Sequence, residues 1–267
     1  MHLLLKNKYV MDFFATLMFF TRIPVKWSYF SKKAPDLTRA SWSFPSVGFL
    51  VGILSGGAGD ILIQVGLPVF LSCVIAITLS VLLTGAFHED GLADTADGLG
   101  AGGSPRNIDK IIHDSRLGTY GVMSLVLGIL VKLGIILALF ESGYPLVAIF
   151  SIGFATGKLS IMIARNLFNN SEFAKTASIV GKISNKCLFI ATLTWILPTL
   201  FVLDIYGILF GIILMTLTIL LIGKKSKKAI GGINGDILGG IAFLTDIMFL
   251  FGNIIVIHVV NLSLIHI

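Results

Sequence analysis

Charge is scarce in this chain of 267 residues. Asp, Glu, Lys and Arg make up 13% of it, against roughly 25% in a typical soluble domain, whereas hydrophobic residues make up 55%. Only two cysteines are present, Cys73 and Cys187, and both lie in or beside apolar segments without a disulfide or metal-binding spacing. The deficit of charge argues against an ordinary water-soluble fold.

Long apolar segments are what the sequence has instead. A helix needs about 20 apolar residues to cross the hydrocarbon core of a bilayer. Continuous runs exclude the alternating pattern of a membrane β-barrel. The sequence therefore predicts an all-α, polytopic integral membrane helical bundle that forms a single domain over residues 1–267. About seven transmembrane helices are expected, at 44–66, 67–87, 119–140, 144–165, 187–203, 205–222 and 237–260.

Basic residues are unevenly distributed. Of the 20 Lys and Arg, all but Lys132 and Lys158 fall in the N-terminal stretch, in the longer loops or at the span ends beside them. By the positive-inside rule these loops lie on the cytoplasmic side of the cell (inner or plasma) membrane. The apolar residues 9–20, which lie within the N-terminal segment 1–43, predict an interfacial helix. The sequence leaves open whether this helix lies flat on the membrane or spans it.

The basic residues do not predict nucleic-acid binding. Four lysines lie in the basic, glycine-rich loop 223–236, and no aromatic residues are interleaved with them. They are interpreted as a topology signal and as a contact to anionic membrane lipid.

The acidic segment His88–Gly98 is the most unusual part of the chain, and it begins a predicted cytoplasmic loop, 88–118. It holds Glu89 and three aspartates, Asp90, Asp94 and Asp97, which would share one face of a helix. Like charges at this spacing repel each other. A hard cation such as Mg²⁺, bound together with a phosphate, would compensate for the repulsion. A solvated acidic turn after a span is the alternative.

Other polar motifs remain ambiguous from the residues alone. Gly98–Arg106 predicts either a phosphate cradle or a linker. Asp114–Gly121 places Arg116, which suits phosphate, beside Asp114, a candidate metal ligand; an ordinary ion pair is the alternative. Gly231–Gly240 contains Asp236, which is either a site residue or a plain helix N-terminal charge.

Ionisable residues inside membrane spans are functional candidates by default because burying them is costly. Lys158 and Arg165 are seven residues apart, on one face of a predicted span. Arg165 has a second interpretation, in which its side chain extends to the membrane–water interface. Lys132 is near mid-span, and we expect a carboxylate on another helix to pair with it, without identifying which.

In this order the motifs resemble the adenosylcobinamide-GDP ribazoletransferase family, also called cobalamin (5'-phosphate) synthase. The matching segments are Phe19–Val25, His88–Gly98, Asp114–Gly121 and Gly231–Gly239. The resemblance implies the last nucleotide-loop step of cobalamin biosynthesis. Adenosylcobinamide-GDP and α-ribazole, or its 5'-phosphate, would give adenosylcobalamin, or its 5'-phosphate, and GMP, with Mg²⁺ as cofactor. A homo-oligomer or a complex with other corrinoid-pathway enzymes is a further expectation.

Together, the motifs and the resemblance suggest three sets of site residues. The predicted catalytic residues are His88, Asp94, Asp97, Asp114 and Arg116. The predicted metal ligands are Glu89, Asp90, Asp94 and Asp97. The predicted substrate-binding residues are Arg22, Ser115, Lys158, Arg165, Asn234 and Asp236.

Two other functions share part of this pattern. A CDP-alcohol phosphotransferase also uses aspartates and a divalent metal. In its pattern Asp-Gly-x2-Ala continues into Arg and then Gly-x3-Asp-x3-Asp, whereas here Ala93 is followed by Asp94 and the later acids do not follow that spacing. A transporter would suit the intramembrane charges, but transporters usually bind near the bilayer midplane, whereas the acids here concentrate in a predicted cytoplasmic loop.

Overall fold

The computed structural model describes residues 7–173 and 180–265, with side chains up to residue 259. Its helices are α1 (Lys8–Phe20), α2 (Leu37–Ala40), α3 (Phe44–Gln64), α4 (Val69–Thr84), α5 (Phe87–Ala101), α6 (Pro105–Ile112), α7 (Thr119–Glu141), α8 (Leu146–Leu167), α9 (Asn185–Val202), α10 (Ile205–Ile230) and α11 (Gly235–Ile265). Within these residues the structure has no β-strand, only an isolated bridge between Asn170 and Ile233. The all-α prediction is confirmed.

Six helical segments of the described chain are long and apolar enough to cross a membrane. They are α3 with the turns before it (Leu37–Gln64), α7, α8, α9, α10 and α11 up to Val259. A seventh span exists only if α4 and α5 are counted together, and this pair is bent by 87°. The chain is therefore a multi-pass membrane protein.

The bend corrects the predicted span 67–87 and the predicted loop 88–118. Helix α4 ends at Thr84 because Gly85 and Ala86 adopt left-handed conformations, with φ of 68° and 58°. Such a conformation is uncommon for any residue other than glycine. The chain then turns into α5 at Phe87, so most of the expected loop is helical.

Helix α8 forms the centre of the bundle, with buried residues on nearly every face. Small residues let its neighbours approach closely, as is common between membrane helices. On α3, a Cβ added to Gly48 would lie 2.6 Å from the carbonyl oxygen of Phe154. On α8, a Cβ added to Gly157 would lie 2.6 Å from the carbonyl oxygen of Ala242 in α11.

A buried ion pair supplies the partner that the sequence left open for Lys132. Its Nζ lies 2.7 Å from Asp246 Oδ2, which joins α7 to α11. The ammonium group also lies 4.4 Å from the ring centre of Phe154 and 5.4 Å from that of Phe243. The charge is thus paired and covered by aromatic rings.

The long connections lie together at one end of the bundle. The Gly181 amide donates to Thr38 Oγ1 at 2.7 Å, and the Ser171 amide donates to the Ile233 carbonyl at 3.0 Å. The short connections after α3, α7 and α9 lie at the opposite end, since consecutive spans alternate in direction.

Helix α1 has 13 residues, about 20 Å at 1.5 Å per residue, which is short for a core of about 30 Å. It packs Phe20 against Phe44 and pairs Asp12 with Arg39 at 2.7 Å. Its predicted interfacial position stays a prediction.

Candidate active site

The acidic helix α5 is held against the start of α11 by glycine contacts. A Cβ on Gly91 would lie 2.7 Å from the Asp236 carbonyl oxygen and 2.9 Å from the Gly239 Cα, so no larger residue fits without movement. Thr95 Oγ1 donates a 3.2 Å hydrogen bond to the same Asp236 oxygen. This close crossing brings the acids of α5 beside the acid that begins α11.

The carboxylates converge on a polar cavity of about 450 Å³ at the end of the bundle that holds the long loops. Its lining combines residues from α5, the end of α6, the loop after α6 and the start of α11: Asp90, Asp94, Ile112, His113, Asp114, Ser115, Leu117 and Asp236. In the described part of the chain, neither Asp90 nor Asp94 forms an ion pair with lysine or arginine. We call this the acidic cavity.

His113 lies in the acidic cavity, although it was not among the site residues predicted from the sequence. Its Nε2 is 3.9 Å from Asp236 Oδ2, and its Nδ1 is 2.9 Å from the carbonyl oxygen of Asp109. A carbonyl can only accept, so this contact favours the tautomer with hydrogen on Nδ1 and leaves Nε2 as an acceptor facing Asp236. Its place immediately before Asp114 was the available signal.

The motif Asp114–Gly121 contributes two predicted residues to the acidic cavity, Asp114 and Ser115. Arg116 instead forms a bidentate pair with Asp114, with Nη2 to Oδ2 at 2.9 Å and Nε to Oδ1 at 3.2 Å. The hydrogen bond from this guanidinium lowers the pKa of Asp114. The arginine is 87% exposed, so its free edge is available to an incoming anion.

Asn234 and Asp236 meet at the start of α11. Asn234 Oδ1 accepts from the Ile237 amide at 2.9 Å, which caps the helix. Its Nδ2 lies 3.3 Å from Asp236 Oδ2. The predicted substrate residue Asn234 is thus a buried cap that also orients the cavity carboxylate.

Asp97 lies outside the acidic cavity, although it was predicted as both a catalytic residue and a metal ligand. Its two oxygens accept from the backbone amides of Gly118 at 2.7 Å and Gly121 at 2.8 Å. Both glycines are needed because a Cβ at either position would collide with the carboxylate. Asp97 therefore ties α5 to the first turn of α7.

His88, Glu89 and Lys158 form a separate buried cluster. Lys158 Nζ lies 2.8 Å from His88 Nε2 and 4.3 Å from the ring centre of Phe20. Glu89 Oε2 is buried and makes no hydrogen bond to any described residue. These predicted site residues are not brought into the acidic cavity.

The other two predicted substrate residues also lie apart from the acidic cavity. Arg165 is buried and donates from Nε to the Val180 carbonyl at 3.0 Å. Arg22 donates from its amide to the Leu83 carbonyl at 2.7 Å, and its side chain lies over Gly85.

Two carboxylates of the acidic cavity are suited to binding a hard divalent cation. Asp90 and Asp94 are one helical turn apart, and no lysine or arginine of the described chain pairs with their oxygen atoms. Over residues 7–173 and 180–259, no three His, Cys, Asp or Glu side chains are grouped closely enough to bind an ion on their own. Magnesium typically uses one or two carboxylates plus substrate phosphates, so two aspartates are sufficient if the substrate supplies the rest.

A larger cavity, of about 830 Å³, lies on the opposite face of α5. It is an apolar groove with Leu92, Leu127 and Leu221 among its lining residues, between α5, α7, α10 and α11. Leu127 and Leu221 are exposed on the outer surface of the spans. The groove therefore faces the lipid and is not where the carboxylates converge.

Fold and cavity together define a class: a multi-pass membrane protein with an acidic polar site at one end of its helical bundle. Comparison with known proteins narrows the class. The chain matches the family model for cobalamin-5-phosphate synthase over residues 12–254. It belongs to the cobalamin-5-phosphate synthase family, as the motifs predicted, which also confirms the prediction of an enzyme.

Similar proteins cover nearly the whole chain. A protein of Shewanella pealeana is 37% identical over 236 residues, 85% of this chain and 88% of the relative. A protein of Shewanella frigidimarina is 35% identical over 243 residues, 88% of this chain and 90% of the relative. A protein of Azorhizobium caulinodans is 32% identical over 262 residues, 93% of this chain and 97% of the relative. All three are named adenosylcobinamide-GDP ribazoletransferase. No solved structure matches the chain.

Proposed function

We propose that this chain joins adenosylcobinamide-GDP to α-ribazole, or to its 5'-phosphate, and releases GMP, with the acidic cavity as the reaction site. Family membership and the names of the relatives support the substrates. The observation that carries the site is the convergence of Asp90, Asp94 and Asp236 from two helices on one polar cavity.

We further propose Mg²⁺ as the cofactor, held by Asp90 and Asp94 beside the substrate diphosphate. Bound there, the cation would neutralise charge on the phosphoryl oxygens. Among the residues that the structure describes, neither aspartate has a lysine or arginine partner. This supports the assignment, because like charges one turn apart otherwise repel.

The reaction exchanges one phosphorus–oxygen bond for another. A ribose hydroxyl oxygen of α-ribazole forms a bond to the phosphorus that carries the cobinamide arm, and the bond from that phosphorus to GMP breaks. The hydroxyl proton passes to His113 Nε2, and Asp236 stabilises the resulting imidazolium. The exposed edge of Arg116 binds a phosphate oxygen.

The basic loops support a cytoplasmic position for the acidic cavity in the cell membrane, where a soluble ribazole substrate would reach it. Membrane lipid surrounds the exposed apolar faces of the spans. Self-association and association with other corrinoid-pathway enzymes stay predictions.

Substitution of Asp94 tests the site. Asp94→Asn keeps the size of the side chain and removes its charge, so turnover should fall by at least about a hundredfold, the scale of losing one electrostatic contact to a transition state. Product is measured by chromatography and folding by thermal unfolding in detergent. The control is Asp204→Asn, which changes a carboxylate at the opposite end of the bundle and should remain active. Near-normal turnover of a folded Asp94→Asn enzyme would contradict the assignment.

A further inference from the structure

The apolar groove between α5, α7, α10 and α11 has no part in the proposed reaction. Its volume is about 830 Å³, and most of the side chains that line it are apolar. The polar side chains of its lining are Thr95, Tyr120, Ser124 and Lys225. Leu127, Val131 and Leu221 in the lining are exposed, so the groove is open on the outer surface of the spans. Such a groove is suited to a hydrocarbon chain.

Three of the polar side chains lie at the end of the bundle that holds the long loops. Tyr120 and Ser124 are in the first two turns of α7, which begins at Thr119. Lys225 is in the last two turns of α10, which ends at Ile230. An exposed tyrosine near a span end is typical of the membrane–water boundary. The groove therefore has a polar mouth at this boundary and an apolar interior within the bilayer.

The length of the groove matches one leaflet of a membrane. Along α7 its lining extends from Tyr120 to Val131, about 17 Å at 1.5 Å per residue. The hydrocarbon core of a bilayer is about 30 Å thick, so one leaflet contributes about 15 Å. An acyl chain whose headgroup lies at the mouth would therefore extend along the whole groove.

Lys225 places positive charge at the mouth. It is exposed, and it forms no ion pair with any acidic residue in the part of the chain that the structure describes. Leu221 lies four residues before Lys225 and Lys228 lies three residues after it, so the three share one face of α10. A headgroup with a net negative charge would complement the two lysines. A zwitterionic headgroup has no net charge and would be bound less tightly.

The groove and the acidic cavity lie on opposite sides of α5. At about 100° per residue, Leu92 and Leu99 of the groove are directed away from Asp90 and Asp94. A substrate bound by the two aspartates therefore does not enter the groove. An occupant of the groove would instead support α5 from its apolar side.

We infer that the apolar groove binds an anionic phospholipid of the leaflet at the loop end, with an acyl chain along α7 and the headgroup at Lys225. This site is more specific than the general contact between exposed spans and lipid. It is also independent of the proposed reaction.

Thermal unfolding of the purified full-length protein in detergent tests the preference for an anionic headgroup. The protein is titrated with dioleoyl phosphatidylglycerol and separately with dioleoyl phosphatidylcholine, which has the same acyl chains and no net charge. Phosphatidylglycerol should raise the unfolding temperature until the site is saturated, because a ligand of the native state stabilises it. Phosphatidylcholine should require at least about fivefold more lipid for the same effect.

Two lysine variants locate the headgroup. Lys225→Gln should raise the phosphatidylglycerol concentration at half-saturation about fivefold, the scale of one lysine beside an anionic lipid, and leave phosphatidylcholine unchanged. Lys227→Gln is the matched control, because Lys227 is also exposed but lies two residues further along α10, on the opposite side of that helix. It should leave both titrations unchanged. Equal stabilisation of the wild type by the two lipids, or equal effects of the two variants, would overturn the inference.

A second pair of variants tests the apolar interior. Leu127→Trp fills the groove with a larger side chain at an exposed position and should abolish the saturable effect of phosphatidylglycerol. Leu130→Trp is the control, because Leu130 is equally exposed on α7 but lies outside the lining, and it should keep the effect. Size-exclusion chromatography of both variants completes the test. An unchanged titration of folded Leu127→Trp would overturn the inference. So would a change from dimer to monomer in Leu127→Trp alone, which would make the groove an interface between two copies of the chain.

Discussion

Replacing Asp97 distinguishes a structural carboxylate from a metal ligand. The side chain accepts two backbone hydrogen bonds, at 2.7 Å and 2.8 Å, and Asp97→Ala removes both. Hydrogen bonds to a charged group contribute about 1.5–3 kcal/mol each, and the amides of Gly118 and Gly121 would be left unsatisfied. Taking the lower value for each bond, we expect a loss of about 3 kcal/mol in the free energy of unfolding. Asp97→Asn keeps one acceptor oxygen and should lose about half as much.

The assay is thermal unfolding in detergent, followed by tryptophan fluorescence. At about 2–4 °C per kcal/mol for a chain of this size, Asp97→Ala should lower the unfolding temperature by about 6–12 °C. Asp90→Asn, on the same helix, is the control: it removes a like charge and should not destabilise the protein, but it should weaken activation by Mg²⁺. If the Asp97 variants kept full stability and instead required more Mg²⁺, our structural assignment would be refuted.

Two other predictions concern packing inside the bundle. Lys132→Met leaves Asp246 as an unpaired buried charge and should lower the free energy of unfolding by about 3–5 kcal/mol. Adding Asp246→Leu should recover much of that loss. A double variant no more stable than Lys132→Met alone would contradict this account. Gly91→Ala should destabilise by about 1–3 kcal/mol because its Cβ would meet the backbone of α11. Gly134→Ala in α7, with nothing within 4 Å of the added Cβ, should be neutral or stabilising, and equal effects at both glycines would be inconsistent with the packing described. Thermal unfolding measures both.

The architecture was predictable because it depends on segment length and polarity. Apolar runs of about 20 residues defined six of the spans and the short connections between them. The end of α4 was not predictable in the same way. Leu83 and Thr84 continue the apolar run toward Phe87, and the left-handed pair Gly85–Ala86 is a local backbone choice that hydrophobicity does not encode.

The candidate site was predictable only in part, because spacing on one helix says little about what other helices contribute. Asp90 and Asp94 were predicted to share a face, and they do line one cavity. Asp97 has the same periodicity, but its carboxylate accepts hydrogen bonds from backbone amides at the start of α7. His113 follows α6 directly, so its contact with Asp236 depends on where α6 packs. The partner of Lys132 was likewise a matter of tertiary packing.

The most direct test of the central claim uses purified wild-type protein in liposomes with adenosylcobinamide-GDP and α-ribazole. GMP and the corrinoid product are followed together by chromatography while Mg²⁺ is titrated and then removed with a chelator. Our account predicts equal amounts of GMP and new corrinoid product, both lost when Mg²⁺ is removed and restored when it is returned. Product formation that persists without any divalent cation, or a folded preparation that forms no product at saturating Mg²⁺, would contradict it.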